Sequence, residues 1–163
     1  IRKKNPGLTI ETLIPDFKGE WNNLDPILEV KPEIVSHNIE TVERITQKVR
    51  IQAKYWRSME VLKRLKDGGI NKTKSGIMVG LGESDEEVIQ TMKDLVAQGV
   101  DILTIGQYLQ PSKKHLEVAE FVTPEKFAEY KRIGEEIGFH HVESGPLVRS
   151  SYHADNQSKD LIK

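Results

Sequence analysis

The sequence predicts an α/β fold built around a parallel sheet. Strand-like and helix-like runs alternate in the order β-α-β-α-β-α-β-α-β, the pattern of linked βαβ units. Several strand runs are apolar almost throughout, as in strands covered on both faces. The length of 163 residues corresponds to one domain at ~100–200 residues per domain. Five strands are too few for a closed eight-stranded barrel, which leaves an open sheet or an arc of a barrel.

The elements follow from local signals. LTIETLI (8–14) is β-rich and lies between Pro6-Gly7 and Pro15-Asp16, so it reads as a strand. Residues 20–30 read as a short helix that Lys31-Pro32 breaks, because proline disfavours helical geometry in the residue before it. A short buried strand at 34–37 and a short helix at 40–48 follow. The helix at 54–67 gathers Tyr55, Met59, Val61, Leu62 and Leu65 on one face and stops at Gly68-Gly69. A strand at 73–81 leads to a helix at 84–98, where Ser84 and Glu87 have the spacing of a capping box. VDILTIG (100–106) is a strand with almost no polar face. Thr123-Pro124 starts a helix that Gly138 closes, and residues 139–144 form a last short strand. The tail from 153 is polar and is expected to be loose.

Composition bounds the chemistry. There are 24 Lys+Arg against 25 Asp+Glu, a net charge of −1, without the basic surplus of a nucleic-acid binder. No stretch approaches the ~20 apolar residues of a membrane-spanning helix, and no signal-peptide pattern opens the chain. There is no cysteine. That excludes disulfides, Cys-type zinc sites and a thiolate-held iron–sulfur cluster made from this chain alone. About 42 % of residues are apolar when Gly is counted and Tyr is not, against ~45–50 % in typical domains, so the core is lean. Ile1-Arg2-Lys3-Lys4 lacks an initiator Met and reads like the end of a helix; the expectation is a piece of a longer protein.

In open sheets and barrels alike, ligands sit at the carboxyl ends of the strands. The stretches there are rich in polar residues, Gly and Pro. His37-Asn38-x-Glu40 groups three hydrogen-bonding side chains that suit a ribose or amino-acid ligand, although Glu40 capping the next helix and His37 satisfied in the core explain them equally well. Gly80-Leu81-Gly82 lacks the spacing of a dinucleotide or Walker loop, and a plain turn is the simpler reading. Lys74 suits a carboxylate ligand or a solvated strand edge. His140 and His141 point to opposite faces of one strand, so they read as structural. Lys113-Lys114-His115 is a small basic cluster, either solvated or facing an anionic partner. Residues 144–155 join Gly-Pro to Arg149, Ser150, Ser151, Tyr152 and His153, a density that a passive tail does not need.

Six segments carry a resemblance: LIPDFKG (13–19), HNIETV (37–42), TKSGIMVGLGESDEEV (73–88), DILTIGQYLQPSKKHL (101–116), VTPEKF (122–127) and GPLVRSSYHAD (145–155). Together the chain resembles the C-terminal part of the lipoyl synthases, radical S-adenosylmethionine (SAM) enzymes. The resemblance implies a partial parallel (βα)6 barrel, with about strands three to six in residues 1–144 and a C-terminal extension in 145–163. It also implies insertion of two sulfur atoms into a protein-bound octanoyl chain. A SAM-derived radical would remove hydrogens, and an auxiliary [4Fe–4S] cluster would supply the sulfur. Gly76-x-Met78-x-Gly80-x-x-Glu83 matches the superfamily's G-x-I-x-G-x-x-E pattern near the adenine, with Met in the Ile place. Asn38 and Glu40 match the strand end that holds the ribose and methionine part; Lys74, Ser75, Gln107 and Tyr108 are expected to border the same pocket. Ser150, or else Ser151, is expected to ligate the auxiliary cluster, and Arg149 to steady that loop.

Two [4Fe–4S] clusters and SAM are the implied cofactors. The implied partners are an octanoylated lipoyl carrier domain or H-protein and an electron donor, with no nucleic acid or membrane. A bacterial chain would be cytoplasmic and a eukaryotic one mitochondrial. The family's two cysteine triplets, C-x4-C-x5-C and C-x3-C-x2-C, are expected before Ile1, so the 163 residues alone are expected to be inactive. Two readings remain beside this one: another α/β barrel binding a phosphate or sugar, and a cluster-free binding module.

Overall fold

A computed structural model describes residues 1–152 and 154. Its strands are β1 (Glu11–Leu13), β2 (Ile34–Ser36), β3 (Lys72–Val79), β4 (Ile102–Gln107) and β5 (His141–Gly145). Its helices are α1 (Asp25–Val30), α2 (Glu43–Val49), α3 (Tyr55–Asp67), α4 (Asp85–Ala97) and α5 (Pro124–Ile137). All four strand pairings are parallel, and the spatial order β1-β2-β3-β4-β5 is the chain order. A doubly wound sheet reverses its strand order at a switch point. This sheet does not, so it is an arc of a barrel, and that decides between the two architectures the sequence leaves open.

Side chains alternate across the arc. Ile77, Val79, Leu103, Ile105 and Val142 face the helices and join Leu62, Met92, Leu95 and Phe127 in the main core. A smaller cluster of Ile14, Leu24, Val35, Val61 and Leu65 lies under α1 and α3. The opposite, inner face carries Ser36, Lys74, Gly76, Thr104 and Gly106 at successive register positions. The sheet is therefore greasy toward its helices and polar toward the barrel axis.

The local signals act as expected at most ends. Ser84 accepts from the Glu87 amide, and the Glu87 carboxylate accepts from the Ser84 amide, completing the capping box. Arg44 grips the same carboxylate with bonds of 2.7 and 2.8 Å and donates to the Gly82 carbonyl. Thr123 caps α5, with Pro124 at its first position. Several elements are shorter than their sequence patterns, and the strand read over 8–14 is paired only at Glu11–Leu13. Residues 17–24 form 3-10 turns, and regular α1 begins only at Asp25. Pro26 fits a first turn but not a helix interior, where its ring meets the carbonyl four residues back. Helix α2 begins at Glu43 because residues 37–40 continue alongside β3. There the Glu40 amide donates to the Gly76 carbonyl, and the Met78 amide donates to the Glu40 carbonyl. Among the described residues no helix is long and apolar enough to cross a membrane.

The amine of Lys74 is wholly buried on the inner face, 3.0 Å from the Glu11 carboxylate, which also accepts a 2.8 Å bond from the Ser36 hydroxyl. This contact ties β1, β2 and β3 together. Breaking a buried pair leaves an uncompensated charge. Lys74→Ala should therefore lower stability by about 3 kcal/mol in urea unfolding, and adding Glu11→Leu to Lys74→Met should recover most of it. An unchanged midpoint in Lys74→Ala would show that the pair is not structural.

Candidate functional site

At the carboxyl end of the arc, a pocket of about 230 Å³ is lined by Asn38, Glu40, Gly76, Met78, Thr104, Gly106, Arg149 and Ser150, among others. It brings together five of the candidate site residues, Asn38, Glu40, Gln107, Arg149 and Ser150, from three separate segments of the chain. Gly76 makes room for it. A Cβ there would stand 2.8 Å from Thr104 Oγ1 and 3.0 Å from Asn38 Oδ1, two oxygens that flank the gap. Asn38 Oδ1 is buried and has no hydrogen-bond partner. A buried acceptor left open is costly without a ligand, so the cradle fits a polar guest with a donor group.

Glu40 is held in an unusual state. Its φ is +72°, a left-handed conformation that residues with a Cβ adopt at a cost. Burial raises its carboxyl pKa above the ordinary glutamate value, against the Arg50 charge and the Asn38 side chain, which pull it down. The N-cap position of α2 is Val42, two residues beyond Glu40. His37 is buried and bonds the Ile14 carbonyl through Nδ1, while its Nε2 has no partner; burial lowers its pKa and keeps it neutral. Arg50, which the sequence reading overlooks, donates to the Asn38 carbonyl at 2.9 Å.

The Gly80 turn and the strand end after β4 are held by their own side chains. Gly80 has φ +96°, and a Cβ there would fall 2.3 Å from Gln107 Nε2 and 2.4 Å from the Glu120 carbonyl. Glu83 accepts from the amides of Gly80 and Leu81, at 2.5 and 2.9 Å. Gln107 donates to the Tyr108 and Glu120 carbonyls and accepts from the Val122 amide. The Tyr108 hydroxyl donates to the Leu116 carbonyl at 2.8 Å. Gln107 borders the small pocket, and Tyr108 a larger cavity beside it, but their polar groups are occupied in fastening the 108–122 loop.

Two further candidates lie away from both cavities. Lys74 is engaged by Glu11, and Ser75 pairs in register with Leu103 on the helix side, its hydroxyl buried without a partner. Thr104 and Gly106 were hidden in the apolar run of β4; counting alternate positions back from the strand end is the signal that finds them.

The chain after β5 turns back across β4. The Val148 amide donates to the Gly145 carbonyl, Val148 is buried, and Arg149 Nη1 donates to the Val148 carbonyl at 2.7 Å. This strap crosses where β4 has no side chain: a Cβ on Gly106 would meet the Val148 carbonyl oxygen at 2.4 Å. It sets Arg149 and Ser150 in the pocket, while Ser151 is exposed outside its lining. His153 and the tail from 155 lie outside the described residues. Among the described residues no group of three His, Cys, Asp or Glu side chains could hold a metal. The donor set here fits a single oxygen ligand, not a complete cluster site.

Two outcomes are expected. Glu40 binds its proton more tightly folded than unfolded, so it lowers stability as pH rises through the ordinary glutamate range and up to its raised folded value. Glu40→Gln should therefore unfold at higher urea than the parent at pH 8 and lose that advantage at pH 4; equal midpoints at both pH values would contradict the burial. Gly106→Ala forces the strap away from β4 and should cost about 2 kcal/mol, with altered protease sensitivity near Arg149; an unchanged cleavage pattern would count against the close approach.

The model of the radical SAM superfamily matches residues 1–95. The chain is 68 % identical to a lipoyl synthase of Flavobacterium psychrophilum over 154 residues, 94 % of this chain and 53 % of that protein. It is 66 % identical to a mitochondrial lipoyl synthase of Nematostella vectensis over 95 % of this chain and 53 % of that protein. Against a lipoyl synthase of Bacillus velezensis the identity is 53 % over the whole chain and 55 % of that protein. The chain spans about half the length of the curated relatives it matches. The barrel arc, the polar pocket at its carboxyl end and the match over more than half of the sequence agree: the chain belongs to the radical SAM superfamily.

Proposed function

We propose that this chain is the C-terminal part of a lipoyl synthase, which inserts two sulfur atoms into the octanoyl chain carried by a lipoyl carrier domain. The observation that carries the reading is the shared pocket: Ser150, from the strap, lies in one lining with Asn38 and Glu40, from the end of β2. The identity to proteins named lipoyl synthase supports it.

The pocket fits SAM in kind. Glu40, when ionised, accepts from ribose hydroxyls or from the methionine ammonium, and the open Asn38 acceptor takes a second such donor. The gap over Gly76, beside Met78, admits a flat ring against the backbone. SAM bound here supplies the radical that removes hydrogen from the octanoyl chain. The chain's own share is binding, orientation and exclusion of water. Gln107, Tyr108 and Glu83 act indirectly by fixing the walls.

Ser150 offers one oxygen to an auxiliary [4Fe–4S] cluster whose thiolates, like those of the SAM cluster, would come from the other half of the protein. An alkoxide holds iron less firmly than a thiolate, which suits a cluster that gives up its sulfur. Arg149 balances negative charge at the same place. An electron donor for cluster reduction completes the partners. The Nematostella relative is named mitochondrial; we place a bacterial chain in the cytoplasm and a eukaryotic one in the mitochondrion.

Sequencing upstream of Ile1 should reveal two cysteine triplets, and their absence would end the enzyme reading. In the full-length protein, Ser150→Ala should lower lipoyl product by about 100-fold and reduce iron bound per chain, while SAM cleavage persists. Sulfur insertion at the parent rate would remove Ser150 as a ligand.

A further inference from the structure

Beyond the small pocket, the loops after β1 and β4 and the connection between α2 and α3 surround a cavity of about 1180 Å³ that shares Met78 and Leu109 with it. Five lysine and arginine side chains line it against two carboxylates, in a chain whose net charge is −1. Both carboxylates have partners. Asp16 is bound by Arg57, and the Glu20 carboxylate accepts from the Asn23 side-chain Nδ2. Lys18, Lys48 and Lys114 have no carboxylate partner among the described residues. They come from different places: Lys18 follows β1, Lys48 ends α2, and Lys114 sits on the loop fastened by Gln107 and Tyr108.

We propose that this basic rim docks an acidic segment of a partner protein, with the carboxylates flanking the acylated lysine read by Lys18, Lys48 and Lys114 while the acyl chain enters over the apolar floor. The proposal rests on the octanoyl reading above. The floor consists of Phe17, Leu109 and Met78, contiguous with the pocket that holds Ser150. An apolar floor under a ring of unpaired cations fits a ligand that is greasy at its tip and anionic around its stem. A bare polyanion would leave the floor uncovered.

The turn that carries part of this surface is built at a cost. Phe17 and Lys18 both have positive φ, 47° and 56°, which side-chain-bearing residues adopt only when the surroundings hold them there. The holding contacts are Asp16 with Arg57 and Asp16 with the Lys18 amide. Burial raises the Asp16 carboxyl pKa, and the Lys18 amide and Arg57 outweigh it, leaving the carboxyl below its ordinary range. The carboxylate thus stays ionised and offsets Arg57, which leaves Lys18, Lys48 and Lys114 as the cations without a carboxylate partner. Exposed cations of this kind set partner choice and encounter rate more than total affinity.

The test uses the full-length protein and three synthetic peptides: octanoyl-lysine with aspartate flanks, octanoyl-lysine with serine flanks, and unmodified lysine with aspartate flanks. The first should bind about ten-fold tighter than the second at low salt, and the gap should close as salt screens the exposed charges. Lys48→Glu with Lys114→Glu should abolish the gap while keeping the serine-flanked affinity within two-fold; Lys48→Gln with Lys114→Gln should narrow it. Equal affinity for the first two peptides, or a gap that survives charge reversal, overturns the proposal. Equal affinity for the first and third overturns the octanoyl reading and leaves the rim's role standing. Amine labelling supplies the remaining arm. Lys48 and Lys114 should be modified in the free protein and protected by the first peptide. Protection without peptide would show that the rest of the protein, or a second copy, covers the mouth, and would overturn the proposal.

Discussion

The carbonyl of Val148 occupies the space that a side chain on residue 106 would fill, and the candidate site depends on that contact. Parallel strands bring their carboxyl ends to one edge, but β5 leaves the sheet on the far side of β4 from Asn38 and Glu40. The chain must recross β4 to reach them, and it can do so only where the strand presents bare backbone. Gly106 supplies that crossing. Removing one methyl-sized volume from β4 thus links the segment after β5 to the end of β2, with β3 and β4 lying between those two strands.

Polar side chains around the mouth divide by what they satisfy. Glu83, Gln107 and Tyr108 spend their hydrogen bonds on backbone groups of loops that would otherwise have to find water. Asn38 keeps an acceptor open, and Glu40 is buried with a raised pKa at a costly φ. The first set makes walls, and the second leaves chemistry available. Lys74 belongs to neither: its charge stays below the mouth, where it holds the first three strands together.

Capping and periodicity made the order of elements legible. Ser84 with Glu87, Thr123 with Pro124 and the glycine stops act over three or four residues, so one sequence suffices to read them. The pocket was legible to the extent that strand ends collect ligands and family motifs name positions. Asn38, Glu40, Arg149 and Ser150 do meet there. Lys74 and Ser75 were not legible, because adjacent strand residues face opposite ways and only the packed helices show which face is inner. The partner of Lys74 is Glu11, 63 positions earlier, beyond any local pattern. Glu83 and Gln107 look like ligand contacts in sequence because a residue that grips a loop and one that grips a guest are written with the same letters.

The strap has a further consequence. It reaches Ser150 through turns and one buried valine, without a helix or a strand of its own. Its cooperative unit is therefore smaller than the domain, and its opening free energy is separate from that of the sheet. The hydroxyl of Ser150 can depart and return on the timescale of a local opening while β3 and β4 stay paired. For a side chain whose proposed partner is dismantled during the reaction, release and recapture then require rearrangement of a few residues and no unfolding of the barrel.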